Sequence, residues 1–282
     1  MSTTVLKFIA ILTMLIDHLG ASGLIPYGSP WYTVCRVIGR LAFPLFCFCV
    51  AEGLKYSKNR KNYILRMFIF ALVSEVPFDL MIHQTWFTWQ GQNVIFTLLL
   101  AVIGITVFEQ PELLGRIMQK YEKNPETYAY QNADWVVKSF ILAVCALLAY
   151  ILKTDYAWFG VCLIYVMYFT GRWSKPKRYI AVAATIIGYG LLSSLVPASD
   201  LNISVFGGYG AVPFTSWFFY KITIYYWLAA SASLILIMLY NNRKGKGLKW
   251  LFYVFYPAHM LILYLFVRFD LVSKIGTLIG IS

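Results

Sequence analysis

Nine apolar runs, each at least 15 residues long, recur along the chain, and they constrain its fold more than any other feature. A helix needs roughly 20 apolar residues to cross a bilayer, so every run except the short sixth one is close to a full span. The pattern predicts an all-α, polytopic transmembrane helical bundle of about nine spans. The predicted spans are 8–25, 33–54, 63–82, 93–109, 135–152, 157–171, 179–197, 222–240 and 249–267.

The composition excludes the other broad classes of protein. Hydrophobic residues make up 60% of the chain and charged residues 13%, whereas charged residues are about a quarter of a soluble globular chain. Disordered chains have low hydrophobicity, so disorder is excluded as well. We therefore treat residues 1–282 as one integral membrane domain with a cytoplasmic loop at 111–134 and an outer loop at 198–216. The outer loop is rich in glycine and aromatic residues, which fits either a cover over a cavity or an interfacial aromatic belt.

The basic residues predict how the bundle is oriented. Lys and Arg number 24 against 12 Asp and Glu. Of the 24 Lys and Arg residues, 18 fall in one alternating set of loops, 4 fall in the other set, and two lie inside the second span. Cytoplasmic loops carry the excess of Lys and Arg, so the N-terminus is predicted to be cytoplasmic and the C-terminus outside. This bias explains the net charge of +12 without a nucleic-acid partner. The apolar runs make the lipid bilayer the surroundings of the protein, and the bacterial cytoplasmic membrane is the expected location.

Four ionisable residues are predicted to form an ion-pair ladder in the outer half of the membrane. Arg36 and Arg40 lie four residues apart on the second span, and Glu75 and Asp79 lie four residues apart on the third. Residues with this spacing share a helix face. The depth count, at about 1.5 Å per residue, pairs Arg40 with Glu75 and Arg36 with Asp79. Such charges are either a structural ladder or part of a functional site.

Two histidines are predicted at the middle of the membrane, His18 on the first span and His259 on the ninth. A midplane imidazole needs a partner or a water-filled cavity, and it can serve as a general base. Asp17 cannot orient His18, because neighbouring helical residues point about 100° apart. The orienting group must come from another helix. A purely structural hydrogen bond is the alternative.

The cytoplasmic side offers weaker signals. Glu52 lies near the cytoplasmic end of the second span, where snorkelling or pairing with Lys55 is a sufficient explanation. The basic loop from Lys55 to Arg66 could hold the phosphates of a nucleotide-bearing donor, but topology alone would also place those charges there. No phosphate-binding loop, nucleophile elbow or metal-ligand spacing is present, so no metal is predicted.

Several motifs resemble the TraX family of membrane proteins, in the same order and over most of the chain. They are LKFIAILTMLIDHLG at the start, RVIGRLAFPLFCFCVAEG at 36–53, SEVPFD at 74–79, NVIFTLLL at 93–100, DYAWFGVCLIY at 155–165 and FYPAHMLILYL at 255–265. The combination of IDH, GRxAFPxF and YPxH is specific to this resemblance. TraX is associated with N-acetylation of the pilin subunit of conjugative pili, and the family is similar to bacterial transmembrane acyltransferases.

The resemblance implies an acetyltransferase that moves an acetyl group from acetyl-CoA, its acyl donor, to an amine or hydroxyl acceptor at the outer side. The acceptor would be a pilin N-terminus or an envelope glycan. His18 would act as general base or transient acyl carrier, the arginines would stabilise negative charge with Glu75 and Asp79 holding them, and Asn93 could donate to the carbonyl oxygen. The catalytic set implied is Asp17, His18, Arg40, Glu75 and His259, and the binding set is Arg36, Glu52, Asp79, Asn93, Asp155 and Tyr156.

A transporter is the rival hypothesis from another class. The same buried charges could then serve as a proton or substrate relay. Acetyl transfer by purified protein, or solute movement across vesicles, would discriminate the two. An inert scaffold fits poorly with so many midplane charges.

Overall fold

The computed structural model describes residues 1–110, 128–195, 217–246 and 249–271, and these residues form an all-α structure. The helices, in chain order, are α1 (Thr3–Ala21), α2 (Pro30–Gly39), α3 (Ala42–Lys55), α4 (Arg60–Ile82), α5 (Val94–Phe108), α6 (Tyr128–Ile151), α7 (Ala157–Phe169), α8 (Lys175–Leu195), α9 (Trp217–Met238) and α10 (Lys249–Arg268). A 3-10 turn over Thr170–Arg172 joins α7 to α8.

Each predicted span coincides with a helix, or with the pair α2 and α3. Within the described ranges, four segments are long and apolar enough to cross a membrane: Thr3–Ala21, Pro30–Lys55, Asp134–Ile151 and Trp250–Arg268. Val94–Phe108 and Tyr225–Met238 are shorter apolar helices. The predicted fold class, a helical bundle with membrane-spanning helices, is confirmed. The count of nine spans and the orientation stay predictions.

The second span is not one continuous helix, which corrects the sequence prediction. It is interrupted between α2 and α3, where the Arg40 and Leu41 N–H groups donate to carbonyls three residues back, at Val37 and Ile38. Pro44 provides the physical reason. A proline inside a helix lacks the N–H that would bond the carbonyl four residues earlier, and its ring crowds that carbonyl, here the one of Arg40. The interruption therefore falls at an arginine of the candidate site.

The loop predictions have mixed outcomes. The predicted loop 111–134 ends earlier than expected, because α6 begins at Tyr128. Residues 111–127 and the predicted outer loop 198–216 lie outside the described part of the chain.

Two helices occupy the centre of the bundle. Helix α7 is apolar on all sides, and it packs against α3, α5, α6 and α8. Helix α3 packs against α1, α5, α7 and α9. A helix that is hydrophobic all round belongs in a core or in lipid. Here it is the core, since Val161, Leu163, Ile164 and Met167 of α7 are fully buried.

A backbone junction fixes α1 beside α10. The Thr3 N–H donates to the Arg243 carbonyl at 2.9 Å, and the Thr4 N–H donates to the Lys244 carbonyl at 3.3 Å. The Thr4 hydroxyl adds a bond of 2.8 Å to the Lys246 carbonyl. These contacts attach the loop before α10 to the start of α1. The two helices that carry the midplane histidines are thereby held next to each other.

Candidate functional site

His18 of α1 and His259 of α10 are hydrogen-bonded to each other. His18 Nδ1 lies 2.6 Å from His259 Nε2, and the two rings are parallel within 4°. His259 Nδ1 lies 2.7 Å from the carbonyl oxygen of Phe255, one turn earlier on α10. The structure thus brings together the two predicted midplane histidines. The orienting partner of His18 comes from another helix, as predicted.

The contacts of His259 determine where the protons lie when both rings are neutral. A carbonyl oxygen only accepts hydrogen bonds, so His259 Nδ1 carries the proton that it donates to Phe255. A neutral imidazole has one N–H, so His259 Nε2 is an acceptor and His18 Nδ1 is the donor. His18 Nε2 is then left with a free lone pair. That atom has the electronic state that a general base or a nucleophile requires.

Asp17 holds both arginines of the second span. Its carboxylate accepts from Arg36 Nη1 at 2.7 Å and from Arg40 Nη2 at 2.8 Å, and all three side chains are largely buried. Arg40 also donates through Nε to the Arg36 carbonyl at 3.0 Å and lies over the ring of Tyr226. The structure thus places two guanidinium groups and their shared carboxylate beside His18.

Glycine at position 39 permits this arrangement. A Cβ atom there would overlap the Asp17 carboxylate. Only a residue without a side chain lets α1 and α2 approach closely enough for Asp17 to reach both arginines.

The predicted ladder between the second and third spans is wrong. Glu75 accepts from the backbone and side-chain amides of Asn93, and Asp79 accepts from the Thr88 N–H at 2.9 Å. No ion pair joins either carboxylate to a cation in the described ranges. The arginines point toward α1 instead, because α2 packs along α1 and the break after Arg40 separates them from the rest of the span. Glu75 and Asp79 therefore do not hold the arginines in place.

Asn93 is fully buried, and its amide is already engaged. It caps α5 by accepting from the Ile95 N–H, and it donates to Glu75 and to the Ala71 carbonyl. Both amide hydrogens are used within the protein, so the predicted role of Asn93 as a donor to substrate is not supported by its contacts. Its observed role is to link the start of α5 to α4.

Asp155 and Tyr156 lie in the loop that enters α7. Tyr156 has a left-handed backbone (φ 62°) and stacks on Phe43 of α3 with 5° between the ring planes. The Asp155 N–H donates to the Gln92 carbonyl at 2.9 Å. Burial raises the pKa of the Asp155 carboxyl to about 7, and the positive charge of Arg40 opposes this rise. Both residues thus border the region around Arg40.

Glu52 pairs with Lys55 at 2.7 Å, as predicted, and also with Arg178 of α8 at 2.9 Å. It lies at the predicted cytoplasmic end of the bundle, away from the histidine pair. In the described ranges no group of three or more His, Cys, Asp or Glu side chains could hold a metal ion.

Sequence reasoning missed three participants: the Phe255 carbonyl, Tyr226 and Arg178. Every residue has a backbone carbonyl, so the sequence does not single out the one of Phe255 as a hydrogen-bond partner. Tyr226 is one aromatic residue among many in its span. Arg178 was counted only as a topogenic charge. The signal that could have indicated Arg178 is Glu52, because an acid inside an apolar run needs cationic partners from other helices.

Comparison with known proteins adds the family. The TraX protein family model matches residues 2–267. The probable fimbrial assembly protein FimC, serogroup H1, of Dichelobacter nodosus is 25% identical over 269 residues, which cover 92% of each chain. An uncharacterized protein of Rickettsia prowazekii (strain Madrid E) is 27% identical over 205 residues, covering 71% of this chain and 69% of the relative. No solved structure matches the chain. Because the family match extends over almost the whole chain, the resemblance in the motifs reflects true membership, and the protein belongs to the TraX family.

Proposed function

We propose that this chain is a membrane acetyltransferase that moves an acetyl group from acetyl-CoA to an amine or hydroxyl acceptor at the outer side of the bacterial cytoplasmic membrane. The observation that carries the proposal is the chain of contacts from the Phe255 carbonyl through His259 to His18. It leaves a lone pair on His18 Nε2 and holds the ring in one orientation, which is the requirement for removing a proton from an acceptor.

The buried arginines supply the second requirement of acyl transfer. Attack on a thioester carbonyl places negative charge on its oxygen, and fixed positive groups in a water-poor site stabilise that charge. Arg36 and Arg40 are both held by Asp17, so two guanidinium groups are fixed beside His18. In this proposal Asp17 positions the arginines, which replaces the role that the sequence assigned to Glu75 and Asp79.

The acceptor is proposed from the relatives. The Dichelobacter nodosus protein is described as a fimbrial assembly protein, and TraX is associated with pilin acetylation. A pilin subunit is therefore the proposed acceptor, and an envelope glycan is the alternative. The donor is made in the cytoplasm, so the acetyl group would pass from the cytoplasmic side to the outer side.

One observation favours transport as a second candidate. Glu75 Oε1 and Asp79 Oδ1 are buried and have no hydrogen-bond partner in the described part of the structure. Buried carboxylates inside a membrane bundle are typical of proton relays in transporters.

The test uses purified protein in liposomes of known orientation, with acetyl-CoA confined to one side and an impermeant acceptor peptide to the other. His18→Ala should reduce transfer by about 10²-fold or more, the typical contribution of a general base. His83→Ala, at the end of α4, is the matched control and should retain activity. Transfer by His18→Ala at a rate within a few-fold of wild type would exclude the catalytic assignment, and solute uptake without transfer would favour the transporter.

His259 is a positioning residue in this proposal, and its variants separate orientation from packing. His259→Gln keeps a side-chain oxygen that can accept from His18 Nδ1, whereas His259→Ala removes the acceptor. We expect His259→Gln to retain more activity than His259→Ala at equal melting temperature, with a pH profile that lies closer to wild type. Equal loss in both variants, with both profiles unchanged in shape, would indicate a structural role only.

A further inference from the structure

Two carboxylates at the cytoplasmic end each hold two cations. Glu52 accepts from Lys55 at 2.7 Å and from Arg178 at 2.9 Å. Glu109, at the end of α5, accepts from Arg60 at 3.4 Å and from Arg172 at 3.2 Å. Each group of three carries one positive charge more than it neutralises, so together they present two uncompensated positive charges. The Glu52 side chain is only 4% exposed, so the first group is anchored in the bundle.

The two groups meet at the 3-10 turn between α7 and α8. The Lys55 ammonium lies directly against Gly171, in the space that a Cβ atom there would occupy. The next residue, Arg172, reaches Glu109. Arg60 also donates to the Tyr168 hydroxyl at 3.1 Å, one residue before the end of α7. The cations of both groups thus lie near the 3-10 turn Thr170–Arg172.

An open cleft of about 380 Å³ follows immediately, lined by Trp173, Ser174 and Lys177. The Trp173 side chain is exposed and lines this cleft. Aromatic faces of this kind stack on nucleobases, and lysine ammonium groups bind phosphate. The cleft residues Trp173 and Lys177 are direct chain neighbours of the paired cations Arg172 and Arg178.

Topology alone explains why basic residues lie on this side of the membrane. It does not explain why four of them converge on two acids near one glycine, beside a cleft lined by Trp173 and Lys177. We propose that this surface binds the nucleotide part of the acyl donor, with the adenine ring on Trp173 and the phosphates on Lys177 and the two cation groups. The inference rests on the proposed acetyltransferase function and deepens it by placing the donor.

The geometry of α3 connects this surface with the histidine pair. Glu52 and Arg40 are 12 residues apart, and at about 1.5 Å per residue they are separated by roughly 18 Å along the span. Coenzyme A carries its thioester at the end of a long flexible arm, away from its phosphates. A nucleotide held at the cytoplasmic end could therefore place its acetyl group near Arg40 and His18 without entering the membrane itself.

The first experiment measures binding directly, with the full chain in nanodiscs of zwitterionic lipid and adenosine 3′,5′-bisphosphate as the probe. Trp173→Ala and Lys177→Glu are each expected to weaken binding about tenfold, the size of one stacking or charge-assisted contact. Lys244→Glu, which makes the same charge change on the predicted cytoplasmic side but outside both groups and the loop from Lys55 to Arg66, should change the affinity by less than threefold. Wild-type affinity in both cleft variants would overturn the proposal.

A second arm distinguishes nucleotide phosphate from lipid phosphate. In nanodiscs containing an anionic phospholipid, the affinity for the probe should fall only modestly, as surface charge predicts. Complete loss of probe binding there would identify the surface as a lipid headgroup site and contradict the proposal. Acetyl transfer with an unchanged KM for acetyl-CoA in the cleft variants would refute this site and leave the proposed function standing. A wild-type protein that binds the probe but transfers nothing would refute the function instead.

Discussion

Arg36 and Arg40 of the second span and the two carboxylates of α4 lie in the same predicted half of the membrane, yet their buried charges have opposite kinds of partner. Arg36 and Arg40 share one buried acid, Asp17. Glu75 and Asp79 have amide partners and no cation among the described residues. The first region therefore concentrates positive charge and the second concentrates carboxylates. Opposite charges inside a bundle are not necessarily each other's partners, because helix packing decides which groups can meet.

The largest effect is expected at Asp17. Asp17→Ala leaves two buried guanidinium groups without their carboxylate, which should cost about 3–5 kcal/mol of unfolding free energy. The measurement is the melting temperature in detergent, with acetyl transfer assayed in parallel. Glu75→Ala is the comparison variant from the other region and should cost less, because it removes no ion pair. Equal losses of unfolding free energy in the two variants would contradict the difference between the two regions.

The close approach at Gly39 comes next. Gly39→Ala pushes the Asp17 carboxylate away from the arginines, and overpacking of this kind costs about 1–3 kcal/mol. Gly188 of α8 is the matched control, since a Cβ atom there meets nothing within 4 Å. Gly188→Ala should be neutral or stabilising, by up to about 1 kcal/mol, because alanine is the better helix former. The measurement is the melting temperature of both variants. An unchanged melting temperature in Gly39→Ala would show that the close approach of α1 and α2 is not needed for stability.

A smaller effect is expected at Asn93, which joins α5 to the carboxylate region. Asn93→Ala removes a helix cap and the amide partner of Glu75, for about 1–2 kcal/mol. Asn59→Ala removes a comparable cap from the exposed start of α4, where the Asn59 side chain accepts only from the Asn62 N–H. We expect the Asn59 variant to lose less stability. A larger stability loss in Asn59→Ala than in Asn93→Ala would mean that the hydrogen bond from Asn93 to Glu75 does not contribute to stability.

The smallest effect is a coupling near zero between Arg40 and Glu75. In a double-mutant cycle, residues without a shared contact are additive within about 0.5 kcal/mol. The cycle of Arg40 with Asp17 should instead give a coupling above about 1 kcal/mol, because the two side chains are bonded. A large coupling between Arg40 and Glu75 would restore the ladder predicted from sequence.

The helices could be predicted because the length and polarity of an apolar run are local properties of the chain. Each predicted span has a helix at its position. The interruption at Arg40 was also predictable in principle, since Pro44 stands four residues later and a proline restricts that carbonyl. Because the run is hydrophobic throughout, its pattern indicated one continuous helix and not two.

The partners of the buried charges could not be predicted with the same certainty. Sequence placed His18 and His259 at similar depth, and the structure brings them together. The same depth argument failed for Arg40 and Glu75, because depth says nothing about which helix faces which. Asp17 was set aside as a partner of His18, correctly, but its reach across Gly39 to α2 depends on three-dimensional packing that no spacing rule encodes.

The bond between His18 and His259 joins residues 241 positions apart. Chains are synthesised at about 5–20 residues per second, so the second histidine is made about 12 to 50 s after the first. Until α10 has entered the bundle, nothing fixes which nitrogen of His18 carries its proton. If the protein is the proposed acetyltransferase, a nascent chain would therefore lack an oriented His18, and with it acetyl transfer, until its last helix is in place. An assay of chains that stop at residue 246 should accordingly find no thioester turnover.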